Sequence, residues 1–181
     1  IKGFVTGKDA EGAAVYDNWI DYYKVGFRKM LNQTGERTLN SAILPPKTSH
    51  THGVISATFQ DQKLTIELAA LTSSIVLDFF MKTIGSANLT ESRLSSFPLG
   101  IEDLFKPALF SRTLLLNCLN TYYADLWENN FEEGFKSETW SREDVRLKPF
   151  DSLTNEWKWE TPLRNFYERR LALVEIDVIS A

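Results

Sequence analysis

The sequence predicts an α+β fold: a small mixed or antiparallel sheet with a packed helix over residues 1–100, followed by an α-helical region over residues 101–181. Three observations carry this. Between residues 22 and 59, short stretches rich in β-branched and aromatic residues alternate with period two, as half-exposed strands do. Apolar residues then recur at helical spacing over about 64–82, 108–131 and 163–174. Turn-forming residues separate these runs: Thr34-Gly-Glu36, the Pro45-Pro46 pair, Gly85 and Pro98.

Taken in order, Ile1 to Val5 reads as a short strand, followed by a loop containing Gly and Asp. A strand over Tyr22–Leu31 and a second over Thr38–Leu44 flank the turn Asn32–Glu36, with Pro45-Pro46 closing the hairpin. In the first strand Tyr22, Lys24, Gly26 and Arg28 alternate with Tyr23, Val25, Phe27 and Lys29. Gly26 there marks a bulge or a close approach of backbone. The polar loop Lys47–Gly53 leads to a third strand over Val54–Phe59.

A helix follows from Leu64 to about Lys82, with Thr65 as its N-cap, Gly85 as its stop, and Leu68, Leu71, Ile75, Phe79 and Met81 near one face. Asn88–Leu99 reads as an edge strand or extended segment returning to the sheet. Pro107 fits the first turn of a helix whose stripe runs from Leu109 through Leu115, Leu119, Tyr122 and Leu126 to about Phe131. Residues 134–160 are Trp-rich, charged and irregular. Thr161-Pro162 then opens a last helix with Leu163, Phe166, Tyr167, Leu171 and Val174 on one side.

Composition narrows the function classes. The chain is 43% hydrophobic and 13% aromatic, with five Trp, ample material for a core. No run approaches the roughly 18 apolar residues of a membrane span. The single cysteine, Cys118, excludes an internal disulfide and a CxxC zinc site, and a reducing cytoplasmic setting is expected. None of the nine glycines forms GxGxxG or GxxxxGK. The net charge of −4 divides unevenly: residues 1–100 hold 10 basic against 9 acidic residues, and residues 101–181 hold 10 against 15. Such asymmetry points to two surfaces with different roles. The missing initiator Met and a last helical pattern without a C-cap lead us to expect a piece of a larger protein.

Two ordinary motifs carry little. His50 and His52 form an HxH pair without a third metal ligand nearby in sequence, too few for zinc. Cys118 sits in an apolar stripe and is expected to pack as a small hydrophobe. A hydrolase using His50 or His52 would need a positioned nucleophile. The basic cluster differs in kind, because Arg28, Lys29, Arg37, Lys47 and the Thr48–His52 loop lie on consecutive elements of one hairpin. Arg and Lys neutralise phosphates, and Arg also forks onto guanine in a major groove. Alternatively, Arg37 pairs with Glu36 or Asp21, and Lys29 is simply solvated.

Phe27-Arg28, Thr34-Gly-Glu-Arg-Thr38 and Ala42-Ile-Leu-Pro45 resemble the target-recognition region of DNA adenine-N6 methyltransferases. Those are the large single-chain enzymes of type IIG restriction-modification and related phage-defence systems. Leu68–Phe80, then Gly85, Asn88-Leu89 and Phe97-Pro-Leu99, are similar to the segment that closes that domain. Leu116–Trp127 and Thr161–Arg170 resemble C-terminal helical stretches of the same enzymes. The family's catalytic Asn/Asp-Pro-Pro-Tyr/Phe is absent, since Leu44-Pro-Pro-Lys47 lacks both its polar and aromatic ends.

The resemblance therefore implies a fragment without catalytic, cofactor or metal residues of its own. It would position double-stranded DNA for a catalytic methyltransferase domain of the same chain, which would bind S-adenosylmethionine and flip the target adenine. The DNA-binding residues expected are Arg28, Lys29, Arg37, Lys47, Thr48, His50 and His52. The loop Lys47–His52 is expected to discriminate bases, with the hairpin holding it. An interaction module of a defence complex, docking through its acidic helical half, is the alternative.

Overall fold

The computed structural model describes residues 3–181 and has the α+β class read from the sequence. Ile1 and Lys2, at the start of the expected first strand, lie outside the described residues. That strand is instead β1, Val5–Lys8, paired antiparallel with β2, Ala14–Tyr16, in an exposed ribbon. Strands β3 (Lys24–Arg28), β4 (Ser41–Leu44) and β5 (Val54–Thr58) make a second antiparallel sheet in the order β4-β3-β5. Gly26 lies opposite Ala42 on one side and Ser56 on the other, in unbroken register. The predicted hairpin and third strand are therefore present, with shorter strands than expected.

Period two sorts the sheet into two faces. Tyr23, Val25, Phe27 and Ile43 enter the core. Lys24, Gly26 and Arg28 take the other face. A Cβ on Gly26 would come 2.7 Å from Leu44 Cδ1, so what crowds this position is a neighbouring side chain, neither the bulge nor the close backbone expected from the sequence.

The expected helix over 64–82 is two helices. Helix α1 (Gln62–Ser73) is capped by Asp61, whose side chain accepts the Lys63 N–H at 2.8 Å, while Thr65 is buried inside the first turns. Ser74 is extended, and α2 (Ile75–Ile84) departs at 66°. The break has a local cause. Thr72, Ser73 and Ser74 each turn their hydroxyl onto a carbonyl of the preceding turn, which competes with helix continuation. The change of axis rephases the pattern: Leu77, Asp78 and Met81 are buried, whereas Ile75 and Phe79 face solvent. Gly85, at φ 68°, ends α2 as expected.

Residues 88–99 do return to the sheet, but only at Asn88, which bridges Met30. The Leu89 N–H donates to the Lys29 carbonyl at 2.8 Å. Thr90 then caps a short helix, α3 (Glu91–Leu94), where an edge strand was expected. Pro107 lies in the first turn of α4 (Lys106–Asn117) as predicted, and the stripe is interrupted before α5 (Ala124–Asn130). The last helix, α6 (Phe166–Ile179), starts later than Thr161-Pro162, because Asn165 accepts the Glu168 N–H at 2.8 Å. Its buried face is Glu168, Ala172, Glu175 and Ile176, leaving Phe166 and Val174 exposed.

Helix α1 is buried on all sides from Thr65 to Thr72 and touches β3, β4, α2, α4, α5 and α6. One core joins Val25, Phe27 and Ile43 to Leu109, Leu114, Ala172 and Ile176. At the crossover, Glu67 accepts the N–H of Gly100 and, at 3.1 Å, that of Ile101. Among the described residues, no single helix is long and apolar enough to cross a membrane.

Candidate nucleic-acid interface

The outward face of the sheet is a shallow groove of about 530 Å³. Its floor is Gly26, Ala42 and Leu44, and its walls bring in Arg28, Asn40, Thr48, His50 and Val54. Small residues at matched register positions keep the floor low, and the loop after Pro46 forms the rim. That loop is pinned at both ends. Lys47 takes the left-handed conformation (φ 63°) and donates its N–H to the Ile20 carbonyl at 2.7 Å, while Thr48 Oγ1 donates to the Pro45 carbonyl at 2.6 Å. Further on, the Lys29 N–H donates to the Gly53 carbonyl at 2.9 Å.

Arg28 is exposed at the end of β3, and among the described residues its guanidinium forms no ion pair with an acid. Lys29 is next to it, with Nζ 3.2 Å from His52 Nε2. An ammonium only donates, so this contact requires an unprotonated Nε2. His50 Nε2 is 2.9 Å from Ser56 Oγ, and its Nδ1 faces the Thr51 carbonyl at 3.2 Å. That Nδ1 partner is a backbone carbonyl, where a Ser–His hydrolase places a carboxylate. Ser56 was missed from the sequence because its neighbour His50 belongs to the preceding loop.

Two of the expected cations point elsewhere. Arg37 forms an ion pair with Asp177 of α6 at 3.2 Å, and the carbonyls of Gly35 and Glu36 in its turn accept from Lys82 at 3.0 Å each. Its partner is thus neither Glu36 nor Asp21, and Arg37 lies away from the groove. Lys47 is paired with Asp21. Lys24, in the same alternating set as Arg28, is buried beneath the Trp19 ring, 5.3 Å from its centroid. It donates to the Tyr22 carbonyl at 3.3 Å, and burial lowers its amine pKa.

Of the expected residues, Arg28, Thr48 and His50 line the groove, while Lys29 and His52 meet each other outside that lining. Among the described residues no three His, Cys, Asp or Glu gather as a metal site. The groove lining has no carboxylate to hold a ribose diol or a sulfonium, so it does not fit S-adenosylmethionine. Chemically it offers exposed cationic donors and ring nitrogens to an anionic or base-edged ligand. No protein-family model, curated protein or solved structure matches the chain.

Proposed function

We propose that this chain is a DNA target-recognition module of the adenine-N6 methyltransferase type, working in the cytoplasm, and that it positions duplex DNA for a catalytic domain. The observation supporting the reading is Arg28 in the groove wall, followed in sequence by Lys29, with neither charge claimed by a carboxylate among the described residues. Some cations of this chain meet acids, as Arg37 and Lys47 do, and others are held by carbonyls, as Lys24 and Arg169 are. An exposed cation with neither an acid nor a carbonyl on it, as Arg28 is, keeps its charge available to a ligand. In this reading, Arg28 and Lys29 grip phosphate or a guanine edge, and the Thr48–His52 loop meets the neighbouring bases.

Salt titration of binding to a mixed-sequence duplex is the test. Affinity should fall by roughly tenfold between about 50 and 200 mM salt if two phosphates are contacted. Arg28→Ala with Lys29→Ala should lower the slope of log affinity against log salt by about 2. Salt-independent binding, or a double variant that binds as the parent does, would overturn the assignment.

A further inference from the structure

The break at Ser74 leaves α2 with an apolar face outside the core. Ile75 is 55% exposed, Val76 39%, Phe79 66% and Phe80 41%. On α6, Val174 (54%) and Val178 (72%) are exposed one turn apart. The two sets meet at Asp177: its Oδ1 accepts the Ile75 N–H at 2.6 Å, and Arg37 donates to Oδ2 at 3.2 Å. The start of α2 thus abuts the last turns of α6, and the six apolar side chains lie on the two helices that the Arg37–Asp177 pair ties together.

From these exposures the six leave roughly 600 Å² uncovered, at the upper end of what a typical monomer shows in one patch. A standard interface covers about 800 Å² per partner, of which about 65% is apolar in homodimers, so roughly 500 Å² of apolar surface is needed. The patch meets that requirement.

Its charges identify the occupant. They come in neutral pairs: Arg37 with Asp177, Arg170 with Glu36, and Lys82 with Asp78. A strongly basic or acidic partner would find no complementary field there. A second copy of the same surface meets no net repulsion, as an isologous contact requires. We infer that the α2–α6 face is a two-fold interface between copies of this chain.

Sedimentation equilibrium of the 181-residue chain from about 1 to 100 µM, with circular dichroism melts of each variant, tests this. The expected result is a monomer–dimer equilibrium. Phe79→Glu and Val178→Glu should each weaken it by at least about 30-fold with the melts unchanged, because both side chains are solvent-exposed in the single chain. Leu104→Glu, at a site equally exposed but off the patch, should leave the dimer intact. A chain that stays monomeric throughout leaves the face to a different protein and overturns the proposal. So does a dimer that survives both substitutions.

Discussion

Arg28 and Arg112 are the same side chain in two settings, one at the rim of the sheet and one inside the helical layer. Arg112 is 4% exposed, and each of its three nitrogens is engaged. Nε donates to Glu175, Nη1 to the Ala108 carbonyl and Glu138 at 2.9 and 3.2 Å, and Nη2 to the Thr139 carbonyl at 2.6 Å. Its plane also lies 5.5 and 4.9 Å from the ring centroids of Trp140 and Phe150. Arg28 has solvent and a groove instead. The difference teaches where acids are spent. The helical layer folds its irregular 134–160 segment down onto buried carboxylates, and the second carboxylate oxygen of Glu175 accepts the Ser141 N–H at 2.6 Å. At the sheet rim Lys47 has Asp21, but Arg28 has no acid, so its charge stays available.

Substitutions sharpen this contrast, and the largest effect belongs inside. Arg112→Ala leaves Glu175 buried without its cation and should cost about 3–5 kcal/mol in urea unfolding, as broken buried pairs do. A loss below about 1 kcal/mol would mean that the network is ornamental. Asp78, also buried, accepts the backbone N–H groups of Thr38 and Leu39 at 2.7 Å each, tying the hairpin turn to α2. Asp78→Ala strands both donors and should cost about 2–3 kcal/mol, with faster hydrogen exchange around the turn.

A pH series probes the sheet's inner face. Burial raises the Tyr23 phenol to about 12, and its Oη donates to the Tyr122 carbonyl at 2.9 Å. A group whose pKa is raised on folding contributes stability that is complete below its unfolded value, about 10, and is lost as pH climbs towards the folded one. Burial moves Cys118 and Tyr123 the same way. Lys24, lowered by burial, acts in the opposite sense only up to about pH 10.5. Tyr23→Phe should therefore cost about 1 kcal/mol at neutral pH for its lost hydrogen bond and flatten the alkaline decline between pH 10 and 12. An alkaline profile identical to the parent's would contradict that account.

The smallest stability effect is expected where the binding effect is greatest. Arg28→Ala with Lys29→Ala should stay within about 0.5 kcal/mol of the parent in unfolding while lowering the salt slope of DNA binding. A marked loss of stability would make these residues structural and erase the contrast with Arg112.

Much of the sheet was legible, because period two and turn chemistry are local signals. The hairpin, the third strand, Gly85 and Pro107 all lie where their residues place them. The Ser74 break was not legible, because Leu71-Thr-Ser-Ser-Ile75 keeps helical spacing until its hydroxyls turn onto the backbone. Nor was the start of α6: Thr161-Pro162 and Asn165 both suit a cap, and only packing decides between them. Arg37 was the costliest misreading in the candidate site. Its partner, Asp177, lies 140 residues away, and no local pattern carries an ion pair of that span. Arg28 and Lys29 could be associated with the Thr48–His52 loop from the sequence because only the turn and β4 separate them.

The wholly buried helix α1 bears on how this chain can be divided. One side of it is the floor on which the hairpin rests, and the other is the wall against which α4 and α6 stack. Glu67, projecting from the same helix, holds the backbone at Gly100–Ile101, the point at which composition and charge change character. Cleavage there would separate two chemically distinct halves yet strip the common helix of half its neighbours. On this packing the two halves should unfold together, and the natural seam in composition is a poor place to cut.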